Sequence, residues 1–139
     1  MKILVAGIGK VKEPWVRVAC EDYLLRLRPY VKIEHEDVKD EPALRKRAGG
    51  LLWVLDERGS MLSSTELSQQ VEAIQAAGDS SWTLALGGPD GFSPAFRKDA
   101  RFVWSLSPLT LPYQLARVVV LEQLYRAFSI LHGGPYHRA

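Results

Sequence analysis

A chain of 139 residues suits one domain with a single buried core. Its 47% hydrophobic and 24% charged residues are ordinary for a globular protein and exclude a low-complexity or disordered chain. A net charge of +2 is too small to announce a nucleic-acid binder, and Cys20, the only cysteine, excludes an intrachain disulfide and a cysteine metal cluster.

No apolar run approaches the ~20 residues that span a bilayer, so no membrane segment is expected. The apolar start at Met1–Gly7 is too short for a signal peptide, and a cytoplasmic location is the expectation. Lys2–Ile8 is a β-branched run ending in Gly7-Ile8-Gly9, which predicts a buried first strand. Pro14 opens a helix to about Leu27, with Trp15, Val18, Ala19, Tyr23 and Leu27 spaced for one apolar face. Cys20 on that helix reads as inert packing. Residues 31–38 alternate, with Val31, Ile33 and His35 on one side, which predicts a half-exposed strand at a sheet edge.

Residues 42–48 suit two helical turns with Arg45, Lys46 and Arg47 in water. Residues 51–55 form a continuous apolar strand, and Asp56-Glu57-Arg58-Gly59 is expected to turn the chain at its end. Ser63 with Glu66 has capping-box spacing for a helix toward Ala77. Residues 82–86 predict a fourth strand, Ser93-Pro94 a short helix to about Ala100, and residues 102–106 a fifth strand. Pro112 introduces a last helix, Tyr113 to Leu131, with Leu115, Val118, Val119, Leu121, Leu124, Tyr125 and Phe128 on a broad apolar face and Arg117, Gln123 and Arg126 elsewhere. This alternation predicts a single doubly wound α/β domain over residues 1–139, with a mainly parallel sheet of five to six strands covered on both faces.

Ligands in such folds sit beyond the C-terminal ends of the strands. Three loops fall there: Asp56–Gly59, Gly87-Gly88-Pro89-Asp90-Gly91 and Ser107–Pro112. The middle one lacks the Lys-Ser/Thr of a P-loop and the spacing of a dinucleotide fingerprint, so a pyrophosphate ligand is disfavoured; read alone, it is equally a Pro-Asp-Gly turn. In the last, Leu106, Leu109 and Leu111 are apolar where a surface loop is normally polar, which suits a flat apolar ligand such as adenine. No His/Cys/Asp/Glu set has metal-ligand spacing, so no metal is expected. From Trp82 onward six Lys/Arg stand against three acids, either an ordinary solvated surface or a basic face. The ending Tyr136-His137-Arg138, after Gly133-Gly134-Pro135, combines an aromatic, an imidazole and a guanidinium that can stack on, hydrogen-bond to and neutralise a nucleotide.

Leu55–Gly59, Leu86–Ser93, Ser105–Pro112, Arg117-Val118 with Glu122–Ala127, and Pro135–Arg138 together resemble the RlmH family. Its members are large-subunit ribosomal RNA pseudouridine N3-methyltransferases of the SPOUT class. The resemblance runs nearly end to end and is densest after Trp53. It implies a C-terminal trefoil knot, an exception to the rule that chains avoid threading, and a homodimer. It also implies S-adenosylmethionine held by Leu55, Gly87 and the loop of Leu106, Ser107, Pro108, Leu109, Thr110 and Leu111. The acceptor would be 23S ribosomal RNA, met on the assembled ribosome.

His137 and Arg138 would favour loss of the N3 proton, Tyr136 would stack on or pack the target base, and Arg126 would position a phosphate or brace the tail. Two departures stand out: the stretch between Val38 and Leu51 is shorter than in typical members, and position 113 is Tyr where the family usually has His. Two other readings remain open at this stage, a non-catalytic RNA- or nucleotide-binding module of the same fold and a methyltransferase acting on transfer RNA.

Overall fold

A computed structural model describes residues 1–138. Five strands alternate with five helices: β1 (Lys2–Ile8), α1 (Pro14–Leu27), β2 (Lys32–Val38), α2 (Glu41–Arg47), β3 (Leu51–Met61), α3 (Ser64–Ala76), β4 (Ser81–Leu86), α4 (Pro94–Asp99), β5 (Phe102–Ser105) and α5 (Tyr113–Leu131). The strands form one sheet in the order β2-β1-β4-β3-β5, and every neighbouring pair is parallel. β2 lies at an edge, as its alternating pattern predicts.

The two faces of the sheet follow from the period of two along each strand. Ile3 and Val5 of β1 join a large core with Val16 and Cys20 of α1, Leu67 and Val71 of α3, and Leu121, Leu124 and Phe128 of α5. Leu4 and Ala6 point the other way, into a smaller core with Leu44 of α2 and Phe92 and Phe96 at α4. Three long helices therefore cover one face and two short ones the other. Cys20 is buried on the three-helix face, and burial pushes its thiol up to about 11, as expected of a packing residue.

Helix starts are written in short side chains. Ser63 Oγ accepts from Glu66 N at 3.0 Å while Glu66 Oε1 accepts from Ser63 N at 2.8 Å, closing the capping box. Asp40 caps α2 through Ala43 N, and Ser93 caps α4 through Phe96 N.

Three expectations are corrected. The inward face of α1 is Val16, Cys20 and Leu27, whereas Trp15 and Val18 are 56% and 65% exposed. Both faces of that helix carry apolar residues, so periodicity alone placed Leu27 and Tyr23 correctly against the core but not Trp15 and Val18. Asp56–Gly59 does not end β3. Leu55 and Ser60 both pair with Trp104, so four residues loop out and the strand then resumes to Met61. Gly59 is required where it does so, because a Cβ there would overlap the backbone of Val103 and Trp104. Arg117, assigned away from the apolar face, is fully buried in α5.

Candidate active site

The three loops predicted to gather at one end of the sheet do so. The loop-out of β3, the Gly-rich turn after β4, the segment after β5 and the first turn of α5 enclose a cleft of about 280 Å³, close to the ~300 Å³ at which small-ligand pockets begin. Leu55, Leu86, Leu106 and Leu111 make its apolar walls. In the glycine turn, Gly91 N donates to Gly88 O at 3.0 Å and Gly91 has φ +69°. A Cβ on Gly87 would lie 2.9 Å from Gly91 Cα, so the turn folds this tightly only because position 87 has no side chain.

Of the residues expected to hold a ligand, Leu55, Gly87, Leu106, Ser107, Leu109, Thr110 and Leu111 lie on the cleft. Pro108 does not; it sits exposed on the outside of the loop, where Ser107 Oγ accepts from Leu109 N at 2.9 Å. The rim is more charged than the sequence suggests, since Asp56, Glu57, Arg58 and Asp90 also line it. Asp56 is clasped by Arg58, whose Nε is 2.9 Å away, and this hydrogen bond holds the carboxyl below its usual range. Across the mouth, Thr110 Oγ1 donates to Glu57 Oε2 at 3.5 Å. The net charge at the mouth is negative, which suits a cationic ligand and disfavours a phosphate.

Tyr136 and His137 are not on the cleft. The Tyr136 hydroxyl donates to Glu122 Oε2 at 2.7 Å, and its ring packs edge-on against Tyr125. Arg126 stacks over the Tyr136 ring at 4.6 Å and reaches His137 Nδ1 at 3.2 Å. Arg138 is exposed. These anchors lie 6 to 10 residues along α5 from Ala116, the last cleft-lining residue of that helix, or about 9–15 Å at the helical rise. Within one chain the tail and the cleft are separate.

What sequence reasoning missed is the buried Arg117 cluster. Its guanidinium pairs with Asp37 at the end of β2, donates to Gly9 O at 2.7 Å and to Ile8 O at 3.3 Å, and approaches His35 Nε2 at 3.4 Å. Arginine has no acceptor, so His35 Nε2 must be the acceptor and Nδ1 carries the proton. Burial, reinforced by the Arg117 charge, lowers the His35 pKa from 6.5 to about 4. The native state then binds fewer protons than the unfolded state between those values. Stability is expected to fall by at most about 3 kcal/mol as pH drops from about 6.5 to 4. Thermal melts at pH 7 and 4.5 should show this loss, and His35→Gln should reduce it.

The same burial removes Arg117 from any basic surface. Arg97 is also engaged, with Phe92 O at 2.6 Å, as is Arg126 with Glu122 at 2.7 Å. The C-terminal half therefore presents fewer free cations than its composition suggests. Among the described residues no group of three or more His, Cys, Asp or Glu is placed to hold a metal, and no helix is long and apolar enough to cross a membrane.

Comparison with known proteins agrees with this architecture. The family model described as "Predicted SPOUT methyltransferase" matches residues 1–137. A protein named ribosomal RNA large subunit methyltransferase H, from Delftia acidovorans, is 41% identical over 155 residues, covering 99% of each chain. Among solved structures, one described as "a probable methylase family protein" from Haemophilus influenzae Rd KW20 superposes with a TM-score of 0.58 at 10% identity, over 99% of this chain and 70% of that one. An AdoMet-bound rRNA methyltransferase from Sinorhizobium meliloti gives 0.50 at 13% identity, over 90% and 56%. The structural likenesses speak for the fold, and the full-length sequence match speaks for more: the chain belongs to the RlmH family of SPOUT methyltransferases.

Proposed function

We propose that the protein is an S-adenosylmethionine-dependent methyltransferase acting on N3 of a pseudouridine in 23S ribosomal RNA, presented by the assembled ribosome. The observation that carries the reading is the cleft itself, apolar on its walls and acidic at its mouth. S-adenosylmethionine has an adenine for the former and a sulfonium and ammonium for the latter. Leu55, Leu86, Leu106 and Leu111 would enclose the base, Gly87 would admit it by its missing side chain, and Glu57 and Asp90 would face the positive end. When bound, the cofactor supplies an electrophilic methyl group; the chain contributes alignment and electrostatics. The same reading carries a trefoil crossing of the chain around the loop after β5.

The tail would serve the acceptor base. Tyr136 offers a stacking face, and His137 and Arg138 offer hydrogen-bond donors and positive charge to an imide that must lose its N3 proton. Because the tail is anchored about 9–15 Å along α5 from the last cleft-lining residue of that helix, Ala116, this reading takes the tail from a second copy. The exposed apolar face of α1 supports one. It begins at Trp15, beside the start of α5, where Gln114 Oε1 accepts from Lys12 N and Glu13 N, and passes Val18 toward Tyr23, which touches the tail. Two copies packed with that face antiparallel across a two-fold axis would set the tail of each against the cleft of the other.

Isothermal titration with S-adenosylmethionine tests the reading, since a non-catalytic RNA module would give no heat. Gly87→Val should weaken binding at least about tenfold, because the turn must open to admit the side chain. Unchanged affinity in that variant would move the cofactor elsewhere. Transfer of radiolabelled methyl followed by nuclease mapping identifies the acceptor, and incorporation into transfer RNA alone would overturn the ribosomal assignment.

A further inference from the structure

We propose that Glu122 is the positioning residue of the tail, fixing through Arg126 which ring nitrogen of His137 carries the proton; this rests on the methyltransferase reading above. One carboxylate oxygen, Oε2, accepts from Tyr136 Oη at 2.7 Å, from Arg126 Nη2 at 2.7 Å and from Arg126 Nε at 3.2 Å. Its other oxygen accepts from Gln123 Nε2 at 2.6 Å, and Gln123 Oε1 accepts from Ser64 Oγ at 2.6 Å. The carboxylate is thus braced against the first residue of α3, and both sides of the tail hang from it.

Proton bookkeeping gives this network a direction. An ionised carboxylate only accepts, so the Tyr136 hydroxyl proton points to Glu122, and the 3.3 Å contact with Tyr23 has Tyr23 as donor. Arg126 only donates, so His137 Nδ1, 3.2 Å from its Nη1, holds a lone pair. The imidazole is therefore neutral with its proton on Nε2. In that state Nε2 offers a hydrogen bond to a carbonyl oxygen of the acceptor base and has no lone pair with which to take the N3 proton. His137 then stabilises charge that develops on the base, which narrows the role expected from the sequence. Both nitrogens of the Arg126 fork that face Glu122 are needed to aim the third at His137, and that geometry requires the carboxylate.

The test uses the full chain labelled with ¹⁵N at histidine. The parent protein should show His137 as a single tautomer, with Nδ1 unprotonated and Nε2 protonated. Glu122→Gln, nearly isosteric, should give a mixture of tautomers, and Arg126→Lys, which keeps the charge without the fork, should do the same. Methyl transfer by Glu122→Gln should lose up to about 100-fold in kcat, with cofactor affinity within about threefold of the parent. A His137 tautomer unchanged in both variants would overturn the proposal, as would unimpaired turnover in Glu122→Gln. A parent protein that shows the single tautomer, lost in both variants, but methylates no RNA would instead sink the functional reading and leave the positioning network standing.

Discussion

Ending the chain at Pro135 is expected to reduce methylation to background while leaving cofactor affinity within about threefold, the ordinary scatter of a peripheral change. The two halves of this expectation come from different parts of the molecule. None of residues 136–138 lines the cleft, so its walls survive the truncation. In the proposed reaction the tail would supply an aromatic, an imidazole and a guanidinium to the acceptor base, and a positioned proton-transfer or hydrogen-bonding group contributes about 10²–10⁴ in rate. Titration calorimetry and methyl incorporation read the two halves separately. Because the reading places tail and cleft in different copies, the truncated chain mixed with the Gly87→Val chain should regain activity, since one kind of mixed pair keeps an intact cleft facing an intact tail. Turnover that survives truncation would remove the tail from the reaction altogether.

Replacing Arg117 by Met is expected to cost about 3–5 kcal/mol in urea-unfolding experiments, a large part of the 5–15 kcal/mol that holds a domain together. The guanidinium is fully buried and joins three separate segments: Asp37 near the end of β2, the carbonyls of Ile8 and Gly9 at the end of β1, and its own helix. Its removal leaves Asp37 without its counter-ion and two carbonyls short of a donor. Asp37 keeps 29% of its side chain in water, which places the loss toward the lower end of the range. Gly7 belongs to the same arrangement, because a Cβ there would overlap the guanidinium. Asp37→Asn alone should also destabilise, by stranding a buried cation. Combining it with Arg117→Met should cost less than the sum of the two, and strict additivity would show that the pair does not interact.

Much of this architecture is legible because its signals are local. Pro112 before α5 and Gly133 after it mark a helix that runs over Tyr113–Leu131, as expected. Ser63 and Glu66 announce the start of α3 by a hydrogen-bonding pattern only three residues wide. The cleft was legible for a different reason. A parallel sheet places its strand-end loops together, so finding those loops amounts to finding the cleft.

The failures share the opposite property. Arg117 looked like a surface charge because its partner, Asp37, lies 80 residues away. The continuation of β3 past Gly59 depends on β5 as its partner, and Gly59 read locally as a turn. On α1, Trp15 and Val18 carry as much apolar character as Val16 and Cys20, so only packing against α5 decides which face turns inward. The resting place of Tyr136 depends on Glu122, Tyr125 and Tyr23 coming together from two helices, which no spacing along the chain encodes.

The excursion in β3 leaves and re-enters the sheet at the same rung, opposite Trp104. Residues 56–58 can therefore be lengthened, shortened or exchanged as a cassette without shifting the register on either side, provided that the glycine at the point of return is kept. One rim of the cavity is in this sense a replaceable part on a fixed frame.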